Sequence, residues 1–304
     1  MTTGPRPTDK FSFRTGALRE ACFGYTLCAH DELSSDDVPH TLVLGWDQGT
    51  WRRGPLSQLT WVAESACLVQ VPKQQMVAVG ATGKVIVAGR GEMYEENIYA
   101  AGTPDDREGW FREVREIAGK AYAVGMGRQA YLRDARDHWV RIDHTLPGSL
   151  EGMEGLESIH GFAPDELYAV GWGGEIWSFD GRSWSPAGSP TNLLLTRVLC
   201  AGDGNVYACG QAGLLVRGRG QTWEVVEQDD TQEDIWDLEW FGDTLYVSTT
   251  RFLYTLDGTS LRLVEFEEET PETCYHLSTA DGVLWSIGFK DIVAFDGSSW
   301  TRIE

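Results

Sequence analysis

Several features that mark common protein classes are missing from this sequence. No apolar run is long enough to span a bilayer. The N-terminal MTTGPRPTDKFSF has no apolar core of a secretory signal. A cytoplasmic location is therefore the simplest expectation. Cysteine is sparse: Cys22, Cys28, Cys67, Cys200, Cys209 and Cys274 form no Cys-x-x-Cys pair and have no histidine at zinc-ligand spacing. All but Cys67 fall in or beside expected strands among apolar neighbours, which predicts buried thiols in a reducing compartment. His-Glu-x-x-His, Gly-x-Ser-x-Gly and a glycine-rich phosphate loop are all absent. The acidic stretch Asp229–Asp237 lacks the Asp-x-Asp-x-Asp-Gly order of a calcium loop. No metal and no cofactor is expected. Basic residues are also scarce, with 25 Lys plus Arg against 46 Asp plus Glu, a net charge of −21. A charge of that size disfavours nucleic acid and anionic membranes as partners and attracts basic proteins.

What the chain does have is 35 glycines and 13 tryptophans with only 42% hydrophobic residues, a composition suited to short strands and tight turns. It is also repetitive. Tyr168, Tyr207, Tyr246 and Trp285 recur at 39-residue steps, and Trp184, Trp223, Leu261 and Trp300 follow nearly in phase. The copies read ELYAVGWGGEIWSFDGRSW, NVYACGQAGLLVRGRGQTW, TLYVSTTRFLYTLDGTSL and VLWSIGFKDIVAFDGSSW. Two looser copies, Lys120–Trp139 and Gln75–Met93, lie upstream. The first and most distorted copy starts near Gly24 and ends at Trp51, interrupted by DELSSDDVP. Seven copies predict a seven-bladed, all-β propeller of four-stranded antiparallel blades over residues 17–304, with six or eight blades as alternatives. Residues 1–16 are read as an N-terminal segment able to add an edge strand.

In the Glu166 copy the four strands are expected at Leu156–Phe162, Leu167–Trp172, Glu175–Phe179 and Ser183–Ala187. They are called a to d, from the channel outward. Small residues between β-branched and aromatic ones in strand b suit a crowded position flanked on both faces. Asp180-Gly181 and Asp296-Gly297 are tight-turn signals between strands c and d. The tryptophan after the turn is scaffold that covers the joint between blades. These turns, with Asp47-Gln-Gly-Thr-Trp51 and Gly220-Gln-Thr-Trp223, resemble the Asp-box of the BNR and YCF48-like propeller families. The resemblance implies the fold and little about activity.

Blade geometry sorts the charges. The d-to-a connections and b-to-c loops open on one face, and most dense acidic runs are expected there. The candidate partner-binding residues are Asp36, Asp37, Tyr94, Glu95, Glu96, Asp105, Asp106, Trp172, Asp229, Asp230, Glu233, Trp236, Glu267, Glu268 and Glu269. Carboxylates would focus a field that steers a basic partner, and the aromatics would anchor it. This pattern predicts a non-catalytic protein-binding propeller, monomeric when free. Its most concrete form is an immunity protein that neutralises a bacterial toxin; an assembly factor of the YCF48-like kind is a variant. The alternative is a glycosidase or lyase working in the central pocket. For it, His160 and His276 on strand a are notable, as are Arg19, Arg115 and Arg197, although no carboxylate pair stands out.

Overall fold

A computed structural model describes residues 7–52, 54–99, 110–147, 154–266 and 269–304. Seven antiparallel sheets are arranged as a ring, each of four strands in simple a-b-c-d order. Blade 1 uses Phe11–Glu20, Phe23–His30, Thr41–Asp47 and Thr50–Trp51, with Ser57–Leu59 also pairing its third strand. Blade 2 uses Ala63–Val69, Gln75–Gly80, Lys84–Gly89 and Glu92–Asn97; blade 3 uses Phe111–Ile117, Lys120–Gly125, Gln129–Ala135 and His138–Arg141. Blades 4 to 7 have inner strands Leu156–Ala163, Leu195–Cys200, Asp237–Phe241 and His276–Ala280. Their outer strands are Trp184–Pro186, Thr222–Val225, Ser260–Leu263 and Trp300–Arg302.

The second strands carry the burial that the repeat motif predicts. In Glu166–Gly171 every residue after Glu166 is buried, because neighbouring blades cover both sheet faces. The glycine closing this strand has a steric reason. A Cβ on Gly171 would stand 1.9 Å from the Gly155 carbonyl oxygen, and one on Gly210 would stand 2.0 Å from that of Leu194. The incoming connection crosses the strand end at backbone contact, which only glycine permits.

The turn motif also has a local cause. Asp180 Oδ1 accepts the backbone N–H groups of Arg182 and Ser183, at 2.9 and 2.8 Å, while Gly181 takes a φ of +86°. Asp296 repeats this with Ser298 and Ser299, and the Ser298 hydroxyl at 2.7 Å, together with these N–H groups, holds its carboxyl down at about 2. The tryptophan that follows is delivered to the blade seam. Trp184 is buried in a core shared by blades 3 and 4, and its Nε1–H donates to the Ile142 carbonyl at 2.8 Å.

Each blade is one contiguous stretch of chain, so ring closure rests on contacts between blades 1 and 7. Phe13 N–H donates to the Phe289 carbonyl, and the Glu304 carboxylate accepts from Thr8 Oγ1 and Trp51 Nε1 at 2.6 and 2.9 Å. The innermost strand of blade 1 begins at Phe11 rather than at residue 17. Phe13 is buried in the seam with blade 7 and Thr15 in the same strand is buried too, so this segment is inner wall.

Candidate functional site

The d-to-a connections and b-to-c loops share one face, here called upper. Asp31–Ser35 forms a short helix within the blade 1 insertion, followed by exposed Asp36 and Asp37. Trp172 lies in the b-to-c turn of blade 4, where its Nε1–H donates to Glu157 at 2.6 Å. Trp236 stands just before the inner strand of blade 6, with its Nε1–H on Thr250 Oγ1 at 3.1 Å. Glu227 to Asp234 forms the connection from blade 5 to blade 6. Asp229 and Asp230 are exposed there, and Glu233 is ion-paired with Arg251. Asp230 also accepts the Leu261 N–H at 2.7 Å, which ties this connection to the outer strand of blade 6. Glu269 pairs with Arg302 at 3.5 Å. Asp105, Asp106, Glu267 and Glu268 lie outside the described residues.

Three candidates belong elsewhere. Tyr94, Glu95 and Glu96 are not in a connection; they lie within Glu92–Asn97, the outer strand of blade 2. Side chains there alternate between the seam and solvent. Glu95 accepts the Trp61 indole N–H at 3.1 Å. Glu96 is buried, with Arg133 of blade 3 donating to both its oxygens at 2.5 and 2.9 Å and Trp139 Nε1 donating at 3.2 Å. It is an inter-blade strut that no partner can reach. Among the aromatics, Phe266 is buried and Tyr99 packs on Phe111 and Tyr131.

The upper-face carboxylates divide into two groups. Some are consumed internally: Asp31 by Lys290 at 2.6 Å, Glu154 and Glu175 by Arg128, and Asp291 by Arg302. Others have no side-chain partner among the described residues. These are Glu32, Asp36 and Asp37 on blade 1, Glu227 and Asp229 before blade 6, and Glu265 and Glu272 before blade 7. Since blade 7 closes onto blade 1, they form one arc over blades 6, 7 and 1. Apolar exposure shares this face. Among the described residues nine large apolar side chains are exposed, and six are upper: Val38, Trp110, Leu193, Phe252, Leu263 and Phe289. The lower face also carries acids, including Asp134 with Asp137 and Asp165 with Glu166, but Lys120, Arg136 and Arg219 engage Asp134, Asp137 and Glu166. Asp180 and Asp296 cap their own loops, and Asp203 holds Asn205 and Tyr207.

The central channel encloses about 870 Å³ and is lined by five arginines and seven carboxylates. At its core Arg197 contacts Asp237 at 2.6 Å, as an ion pair rather than an aligned hydrogen bond, and also contacts Glu113. Arg115 lies 3.6 Å from Glu113 and 4.0 Å from Glu239. Burial alone would raise the Asp237 carboxyl, but Arg197, then His276 and Arg115, outweigh it and hold it at about 2. Glu239 is raised by burial, against the pull of Arg115.

The same side chains stitch the ring. Glu113 accepts Ile159 N–H, Ser158 accepts Val198 N–H, His160 Nδ1 accepts Cys200 N–H, Asp237 accepts Leu277 N–H, and Ser278 accepts Leu18 N–H. Each acceptor receives a backbone donor from the next blade. His160 is held well below its ordinary pKa by burial and by Arg115 and Arg197, so it is the neutral acceptor this bond needs. His276 Nδ1 sits 3.6 Å from Asp237. Arg115 and Arg197, noted for the enzyme alternative, are thus held by the chain's own acids. Arg19 is held by Glu20 at 2.6 Å. Sequence reasoning missed Arg14 and Arg112 in the channel wall, and Arg112 is held by Glu157 at 2.8 Å.

The thiols are all free; four are buried and Cys200 is half-buried, whereas Cys22 is exposed, against expectation. It sits in the tight turn between the first two strands of blade 1, where the side chain points out. Burial raises the Cys28 and Cys200 thiols to about 12 and Cys274 to about 11, so these are inert packing groups. Among the described residues no group of three His, Cys, Asp or Glu is arranged to hold a metal ion, and no helix is long and apolar enough to cross a membrane.

Solved structures similar to this one include YCF48 bound to D1 peptide, with a TM-score of 0.65, 13% identity and 98% of both chains covered. YCF48 from Cyanidioschyzon merolae matches with a TM-score of 0.67 at 13% identity, over 95% of this chain and 96% of that one. The WD40 propeller domain of Doa1 matches at 0.66 and 10% identity, over 98% and 93%. At such identities these likenesses establish the fold alone. No protein-family model matches the sequence. One curated relative is far closer: the immune protein Tsi7 of Pseudomonas aeruginosa, 46% identical over 298 residues, 97% of each chain. The chain belongs to the family of the immune protein Tsi7.

Proposed function

We propose that this propeller is an immunity protein that neutralises a toxin by binding it, and that the toxin presents a basic surface to the acidic arc over blades 6, 7 and 1. The observation that carries the reading is the relationship to Tsi7, which spans the whole propeller. The charge pattern supplies the mechanism. Carboxylates without an internal partner repel one another in the free protein, and a cationic surface relieves that repulsion as it docks. The apolar side chains on the same face are the anchors such an interface needs. The protein works as a monomer, in a compartment reducing enough to keep six thiols free.

The test is binding to the toxin-like product of the neighbouring reading frame, made as an inactive variant. Affinity should fall steeply as salt rises from about 50 to about 500 mM, beyond the range where exposed charges act at a distance. The triple variant Asp36→Lys, Asp37→Lys, Asp229→Lys should slow association at least ~10-fold. Tight binding with no salt dependence, and no response to these changes, would remove the acidic arc from the mechanism. A chain that binds no toxin and protects no cell would remove the immunity reading itself.

A further inference from the structure

Between the outer ends of blades 6 and 7 the upper face holds a cleft of about 610 Å³. Its walls are apolar: Phe252, Leu263, Val264, Phe266 and Pro271 line it. Leu263 is 56% exposed and Phe252 is 36% exposed, although both flank a void that water must fill. The floor is rigid. Leu253 is fully buried, and Phe266 packs edge-on against Trp300 with ring centroids 4.7 Å apart. A monomer that leaves such a surface open has either a cost without a return or a partner.

The charges at the rim say which partner. Glu265 and Glu272 line the cleft and have no side-chain partner among the described residues. Arg251 is the single basic residue in its lining, and Arg251 is committed to Glu233 while its guanidinium lies over the Phe252 ring at 5.2 Å. The rim is therefore net negative around an apolar hole. We infer that the cleft receives an apolar side chain flanked by lysine or arginine on a segment of the bound toxin, with Glu265 and Glu272 meeting the flanking cations. The inference rests on the immunity reading for the identity of the partner, but not for the chemistry of the cleft. A volume of that size takes an apolar side chain together with the residues that flank it on a bound segment.

Two arms test it separately. The first uses a fluorescent peptide with one leucine between two Lys-Arg pairs, and its twin with serine in place of leucine. Wild-type protein should bind the leucine peptide at least about tenfold more tightly, the effect expected for burying one such side chain. Leu263→Asp should abolish the difference, and Glu265→Lys with Glu272→Lys should weaken both peptides. Equal binding of the two peptides overturns the proposal. The second arm uses the inactive toxin. Leu263→Asp should lower affinity at least ~100-fold, while control changes at exposed apolar residues on the outer strands of blades 2 and 3, Met93→Asp and Val140→Asp, should alter it less than ~3-fold. Unfolding curves that match wild type establish that each variant is folded. Toxin binding that ignores Leu263→Asp but fails in Val38→Asp overturns the cleft and leaves the immunity reading standing. Peptide discrimination without toxin binding does the reverse.

Discussion

Replacing Asp237 with asparagine should weaken the ring by an amount that depends on pH in a defined way. The Asp237 side chain is 1% exposed and contacts Arg197 and His276 while accepting the Leu277 N–H from the next blade. Its carboxyl titrates at about 2 in the fold, against an ordinary value of 3.8. A depressed carboxylate stabilises the folded state above its unfolded pKa and loses that contribution as pH falls toward its folded pKa. The difference corresponds to about 2 kcal/mol at pH 7. By the same linkage relation about half of it is gone at about pH 3. Asparagine keeps an acceptor for the Leu277 N–H, but its amide nitrogen replaces the oxygen that accepts the Leu238 N–H, so a loss independent of pH adds to the one that depends on it. Urea unfolding followed by tryptophan fluorescence, on wild type and Asp237→Asn, should show a gap that narrows across that interval. A gap of the same size at both ends of it would refute the charge argument and leave Asp237 as a packing residue.

Three further outcomes follow from the same packing. His160 is neutral in the fold and protonates near 6.5 when unfolded, so wild-type stability should decline as pH falls through that value, and His160→Gln should flatten the decline in thermal melts. Trp184→Ala should cost about 3–5 kcal/mol in chemical unfolding, since it empties a buried site between two blades and orphans the Ile142 carbonyl. Arg133→Met should cost a similar ~3–5 kcal/mol by stranding the Glu96 carboxylate, and adding Glu96→Leu should recover most of it.

The fold was legible because its marks are local. Asp180, Gly181 and Trp184 form a turn and a seam plug within five residues, and the pattern returns at Asp296, Gly297 and Trp300. The same locality located the acidic connection at Asp229 and the insertion at Asp36. It failed where a partner lies far along the chain. Glu96 looks like any loop glutamate until Arg133 is placed beside it, and Tyr94 to Glu96 lack the tryptophan that labels other outer strands. The alternation of Tyr94 and Glu96 with Glu95 and Asn97 was a usable strand signal that the acidity concealed. Phe11 and Phe13 carried a similar alternation, hidden because the first copy departs most from the repeat. The stitching by Glu113, Ser158, His160 and Asp237 depends on which inner strands are neighbours, which only ring closure decides.

Lys290 joins that closure to the candidate interface. Its ammonium donates to the Thr8 and Phe11 carbonyls at 3.1 and 2.9 Å and to Asp31 at 2.6 Å. Asp31 is in turn the first residue of the helix that carries the chain to Asp36 and Asp37. One cation thus fastens blade 7 to the start of blade 1 and fixes the base of the insertion. The ammonium is partly solvated, so its loss in Lys290→Met should cost only about 1 kcal/mol of stability. Its effect on toxin binding should be larger than that, because a loosened insertion must be ordered again at the moment of docking. Asp36→Lys should behave differently, slowing association while leaving unfolding unchanged. If Lys290→Met weakened the fold and left both rate constants for binding untouched, the insertion would be no part of the interface, and the arc would shrink to blades 6 and 7.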